Sequence, residues 1–185
     1  MGITLEKIKH PNDELEENTF VLGRIKARLL PPELTEEDFK AWWPRLTEKE
    51  RDRYTAYETK NVITLNGKSN ILTFLGSTSL SGVLAFAQQF AVGTGPIITV
   101  SVGDTSLSTE LYRTAPSTFT RAGNTVNIST FYGSTNGNGV YTNAGLYGGG
   151  ATATLGTGVL YTHALYAFTK ANGFSLTSDY LLTVN

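Results

Sequence analysis

The alternation of apolar and polar positions changes character near residue 60. Residues 19–30, TFVLGRIKARLL, place Ile25, Ala27 and Leu29 on one side and Arg24, Lys26 and Arg28 on the other. That period of two predicts a half-buried or edge strand whose basic face stays in water. Pro31-Pro32 then stops it. Thr35, followed three residues later by Asp38, has the form of a capping box, and Leu34 with Phe39 the form of a hydrophobic staple. The helix they open is predicted to pass through Ala41, Trp42 and Trp43 and to break near Pro44. Thr47 and Glu50 repeat the start signal and predict a second helix through about Tyr57.

Beyond residue 60 one more helical spacing occurs, from Asn66 to Leu75, carried by Ile71, Leu72, Phe74 and Leu75, with Gly76 placed as a C′ glycine. The pattern then turns to strands. Phe86, Gln88, Phe90 and Val92 alternate with Ala87, Gln89 and Ala91. Residues 118–121 and 125–132 flank Ala122-Gly123-Asn124, the signature of a hairpin turn. Residues 140–147, 159–168 and 174–184 complete a series of short segments parted by glycine-rich turns. Such a series predicts a mainly β fold, an antiparallel β-sandwich of jelly-roll-like form. Residues 61–185 are expected to form it, with residues 1–60 as a strand-plus-helices docking arm.

Charge sharpens this division. Eleven of the 15 Lys/Arg and 13 of the 16 Asp/Glu fall in residues 1–60, whereas 17 of the 19 glycines lie beyond them. A sandwich this poor in charge is a solubility risk alone, so its surface is expected to be covered by copies of itself or by other proteins. Net charge is −1 with no basic stripe, which argues against nucleic acid. Residues 1–10 are too polar for a secretory signal, and no apolar run approaches the roughly 20 residues that span a bilayer. Folding in the cytoplasm where the chain is made is therefore expected, without a membrane partner. The absence of cysteine excludes disulfides and thiolate metal sites.

Candidate chemistry is sparse. Gly67-Lys68-Ser69 resembles the end of a phosphate loop, but Val62 stands where that motif needs glycine. The GTG triplets at 93–95 and 156–158 read as turns rather than a dinucleotide fingerprint. His10 and His163 are the two histidines, and Asp104, Glu110 and Asp179 the three carboxylates after residue 60. Two of those acids at the right separation would suit glycoside hydrolysis. The plainer expectation has Glu110 and Arg113 pair or face water and sets Asp179 at a strand end. No catalytic residue, cofactor or metal site is expected. Aromatic and amide residues concentrate in 131–147, where Tyr132, Tyr141, Asn143 and Tyr147 form a candidate glycan-contact set. In the first sixty residues Phe39, Trp42, Trp43, Tyr54 and Tyr57 form a candidate set of docking anchors, since two short helices cannot bury these rings against each other.

The order of short motifs after residue 60 carries a resemblance. Asn66-Gly67-Lys68-Ser69-Asn70-Ile71-Leu72 is followed by Phe90-Ala91-Val92-Gly93-Thr94-Gly95, then Asp104-Thr105-Ser106-Leu107 with Glu110 and Arg113. Asn124-Thr125-Val126 with Phe131-Tyr132, Ala144-Gly145-Leu146-Tyr147, Gly158-Val159-Leu160-Tyr161 and residues 176–184 follow. Over 61–185 this order resembles small β-sandwich virion proteins of tailed bacteriophages, often labelled tail-fibre-like, with Lys68 in place of the usual arginine. The resemblance implies a non-enzymatic structural part of a virion, at the tail, neck or fibre attachment in preference to capsid decoration. A carbohydrate-binding adhesin for host surface glycans and a polysaccharide-cleaving enzyme using Asp104, Glu110 or Asp179 are the competing expectations.

Overall fold

The structure is a computed structural model and describes residues 21–69, 87–96 and 99–184. The chain enters on strand β1 (Val21–Leu30), then passes through helices α1 (Glu36–Trp42) and α2 (Glu48–Arg51) into β2 (Thr55–Lys60) and β3 (Val62–Ile63). Strands β4 (Gln89–Gly93), β5 (Glu110–Thr114), β6 (Thr118–Ala122), β7 (Thr125–Tyr132) and β8 (Gly139–Gly148) follow. The last three are β9 (Val159–Leu160), β10 (Thr162–Lys170) and β11 (Ser175–Val184). Among the described residues these strands form two antiparallel sheets packed as a sandwich. The first runs β2-β1-β11-β7-β6, the second β3-β10-β8-β4-β5, with β9 also on β8.

The alternation in β1 decides where it goes. Ile25 and Ala27 are fully buried between the sheets beside Ile128, Leu176 and Tyr180, facing Phe90, Leu146 and Tyr166 of the second sheet. The strand is not an edge. It pairs with β11 along its whole length, from Val21 opposite Val184 to Leu30 opposite Ser175, and with β2 on its other side. The boundary expected at residue 60 therefore cuts through a sheet, and residues 21–60 are part of the sandwich rather than an arm. Ten paired positions joining the first described strand to the last make these two strands mutually dependent.

Both helix starts are capped as expected, but the capping box at Thr35 forms only in half. The Thr35 hydroxyl accepts from the Asp38 amide at 3.2 Å, and Leu34 packs beside Phe39. Thr47 and Glu50 close a full capping box, the Glu50 carboxylate accepting from the Thr47 amide at 2.7 Å. The second helix is shorter than expected. After Arg51 the chain tightens into a 3₁₀ turn, Asp52–Tyr54, and becomes β2, because Thr55, Tyr57 and Thr59 suit a strand and β1 offers a pairing edge. The third expected helix is present over residues 65–69, and its remainder, with Phe86, lies outside the described residues. The β6–β7 hairpin closes on Gly123-Asn124, with Ala122 opposite Thr125. Gly123 has φ +58°, the left-handed first position that this two-residue loop requires.

Candidate functional site

The outer face of the first sheet holds the densest charge in the described structure. The basic side of β1 stays wet at Arg24, which is exposed and pairs with Glu58 at 3.3 Å, but not further along. Lys26 is largely buried and Arg28 fully so, beneath Glu48 of helix α2 and Asp52 of the turn that follows it. Lys26 Nζ donates to Glu48 at 2.9 Å and to Asp52 at 2.7 Å. Arg28 Nη2 reaches the same two carboxylates at 2.5 and 3.0 Å, while Nη1 donates to Asp179, itself fully buried. Asp179 therefore lies mid-strand in β11, not at a strand end, and Thr177 hydrogen-bonds its other oxygen. Burial works against ionising Glu48 and Asp52, but the hydrogen bonds from Lys26 and Arg28 and their charges outweigh it, holding both carboxyls below their ordinary values. This lattice fastens α2 to β1 and β11.

Beside it sits the aromatic cluster. Phe39 and Trp43 are fully buried against Leu30 and Phe131, with Phe39 stacked on both Trp43 (5.3 Å) and Phe131 (5.1 Å). Trp42 and Tyr54 flank this stack edge-on and are half-buried, and Tyr57 packs on Tyr166 inside the sandwich at 5.6 Å. The expected docking anchors are thus one cover on the sheet plus one core ring. The two helices had no means of burying their rings on each other; the outer face of the sheet, through Phe131, supplies the missing surface.

The expected glycan set is interior as well. Tyr132, Tyr141 and Tyr147 are buried, and Asn143 is fully so, with its amide donating to the Ser108 carbonyl and Thr142 hydroxyl. Tyr141 donates to the Gly137 carbonyl, and Tyr132 to that of Phe90 at 3.3 Å. Burial pushes both phenols well above the ordinary tyrosine range. Tyrosine and asparagine in this stretch build the core and its hydrogen bonds, so they do not form a sugar-stacking surface.

Each of the three later carboxylates has its own partner. Arg113 grips Glu110 with Nε and Nη2 and donates through Nη1 to the carbonyls of Thr152 and Thr157, while its guanidinium lies 4.4 Å from the centre of the Tyr147 ring. Glu110 also accepts from the Gly156 amide, so this pair ties the loop 149–158 onto the second sheet. Of the two expectations for Glu110 and Arg113, pairing is the one the structure shows. Asp104 Oδ2 lies 2.6 Å from Nδ1 of the fully buried His163 and accepts from the Ser101 amide, pinning its loop to β10. Asp179 is on the outer side of the first sheet and Asp104 on the outer side of the second, so a sandwich about 10 Å thick separates them. The arrangement suits clamping of loops and helices. Among the described residues it brings no three His, Asp or Glu together in a metal-holding group.

What the sequence reading missed is the electrostatic fit between β1 and α2. A signal existed: a strand with one basic face is followed within twenty residues by a helix with acids at Glu48 and Asp52. Comparison of the chain with family models, with curated proteins and with solved structures finds no match in any of the three.

Proposed function

We propose that the chain is a non-enzymatic structural component of a tailed-phage particle, placed at the tail, neck or fibre attachment rather than as a capsid decoration protein. The observation that carries this reading is where the ionisable groups go. Asp104, Glu110, Arg113 and Asp179 all serve internal clasps in a β-sandwich. A scaffold that commits its few charges to holding its own loops and helices is suited to stiffness and to packing against neighbours. The ordered motifs of residues 61–185 add the resemblance to virion proteins. Docking in this reading does not run through Phe39, Trp43 or the buried tyrosines, since they face inward.

The test is mass spectrometry of purified particles from a host producing this chain, with copies counted against the major capsid protein. Enrichment at a few copies per particle is the expected result. Hundreds of copies would move it to the capsid shell, and absence from purified particles would overturn the reading.

A further inference from the structure

Among the described residues the sandwich has four outer strands, and they are not equally guarded. Strand β2 is charged at Glu58 and Lys60, and its pairing with β1 shifts register between Ala27 and Arg28. Strand β3 has two residues and leads at once into the helix at 65–69. Strand β5 has a register shift where it pairs with β4 and carries the clamped Glu110 and Arg113. Bulges, charge and shortness are the devices by which natural sheets blunt their edges. Strand β6 has no bulge and only a single charge. Its five residues pair with β7 in unbroken register, contain no acid and no proline, and have one charge, Arg121. Phe119 is 50% exposed on this strand, and Val126 of β7 is exposed beside Arg121.

We infer that β6 is a self-pairing edge, where a second copy of this chain adds its own β6 antiparallel across a two-fold axis at Thr120. The register follows from the side chains. With Thr120 opposite its counterpart, Phe119 lies directly across from the partner copy's arginine at 121, on one face and twice over. Directly opposed cross-strand side chains sit about 5 Å apart, the distance at which an aromatic face attracts a guanidinium. The two arginines fall on the longer diagonal, which relieves their repulsion. Other registers do not give this double match. Because both edges are consumed, the contact closes at two copies instead of propagating. Five residues make a small interface, below the size of a stable complex, so the isolated chain pairs weakly and the pairing gains from the high local concentration of an assembly. The inference names the self-partner within the assembly proposed above, yet it is tested on the isolated chain, so either can fail without the other.

Sedimentation equilibrium of the full chain from micromolar to millimolar concentration reads it. A monomer–dimer equilibrium is expected. Phe119→Lys, at a half-exposed position, sets like charges opposite each other and raises the dimer dissociation constant at least tenfold. The double variant Phe119→Lys/Arg121→Glu restores opposite charges in the same register and recovers dimerisation, so its rescue also shows that the single variant is folded. A chain that stays monomeric to millimolar concentration overturns the inference, as does a trimer or open polymer. So does a dimer indifferent to Phe119→Lys, or a double variant that stays as weak as the single one.

Discussion

Arg28 and Asp179 are both fully buried, so neither has water to turn to when its partner is removed. Truncating one member of such a pair typically costs about 3–5 kcal/mol, because the other charge is left desolvated. The two sides are unequal here. Without Asp179, Arg28 still has Glu48 and Asp52; without Arg28, Asp179 has Thr177. Arg28→Met is therefore expected to destabilise more than Asp179→Asn in urea titrations, and the double change Arg28→Met/Asp179→Leu to recover much of the loss. Trp43→Ala removes a fully buried ring from a stack and is expected to lower stability by about 3–5 kcal/mol. Tyr141→Ala belongs to the same class, since its ring is stacked on Tyr166 at 6.0 Å. A thermal melt separates this from loss of a surface contact, which would leave the transition temperature unchanged.

Helix α2 is four residues long and has little intrinsic stability, so its place on the sheet depends on its cap and on the ion pairs beneath it. Thr47→Ala, which opens the capping box, is expected to cost about 1 kcal/mol in chemical denaturation. The pH dependence follows from Glu48 and Asp52, whose folded-state pKa values lie below their unfolded values of 4.5 and 3.8. Their contribution to stability is complete above those unfolded values and is lost as pH falls through the lower folded ones. Melting temperatures between pH 6 and pH 2 should thus fall more steeply for the native chain than for Glu48→Gln/Asp52→Asn, the curves converging at the acid end. Parallel curves would mean that the lattice adds nothing to folding.

At the scale of the molecule, β1 and β11 form the middle of one sheet although they lie at opposite ends of the described chain. A fragment beginning at residue 61 lacks β1, β2 and the helical cover, and exposes the paired edge of β11, Phe131 and Asp179. It is expected to lack cooperative unfolding and fixed near-ultraviolet ellipticity, whereas the full chain melts in one transition. A fragment with a native-like melt would restore the division at residue 60.

Local signals determined a good part of this protein by themselves. Apolar alternation fixed which side of β1 faces the core, and the Thr35 and Thr47 caps fixed where helices start. Gly123-Asn124 fixed a hairpin, because each depends on neighbours a few residues away. The pairing of Glu110 with Arg113 is not of this class, since residues three apart on a regular strand point to opposite faces, and the pair forms where the register of β5 on β4 shifts. Tertiary structure alone decided which faces are covered. Arg28 meets Asp179 across 151 positions of sequence, and Phe39 meets Phe131 on the outer face of the sheet, so a basic side that reads as wet is dry at Lys26 and Arg28. Burial depends on the partner that arrives from elsewhere in the chain, and the spacing of residues along one segment does not encode that partner.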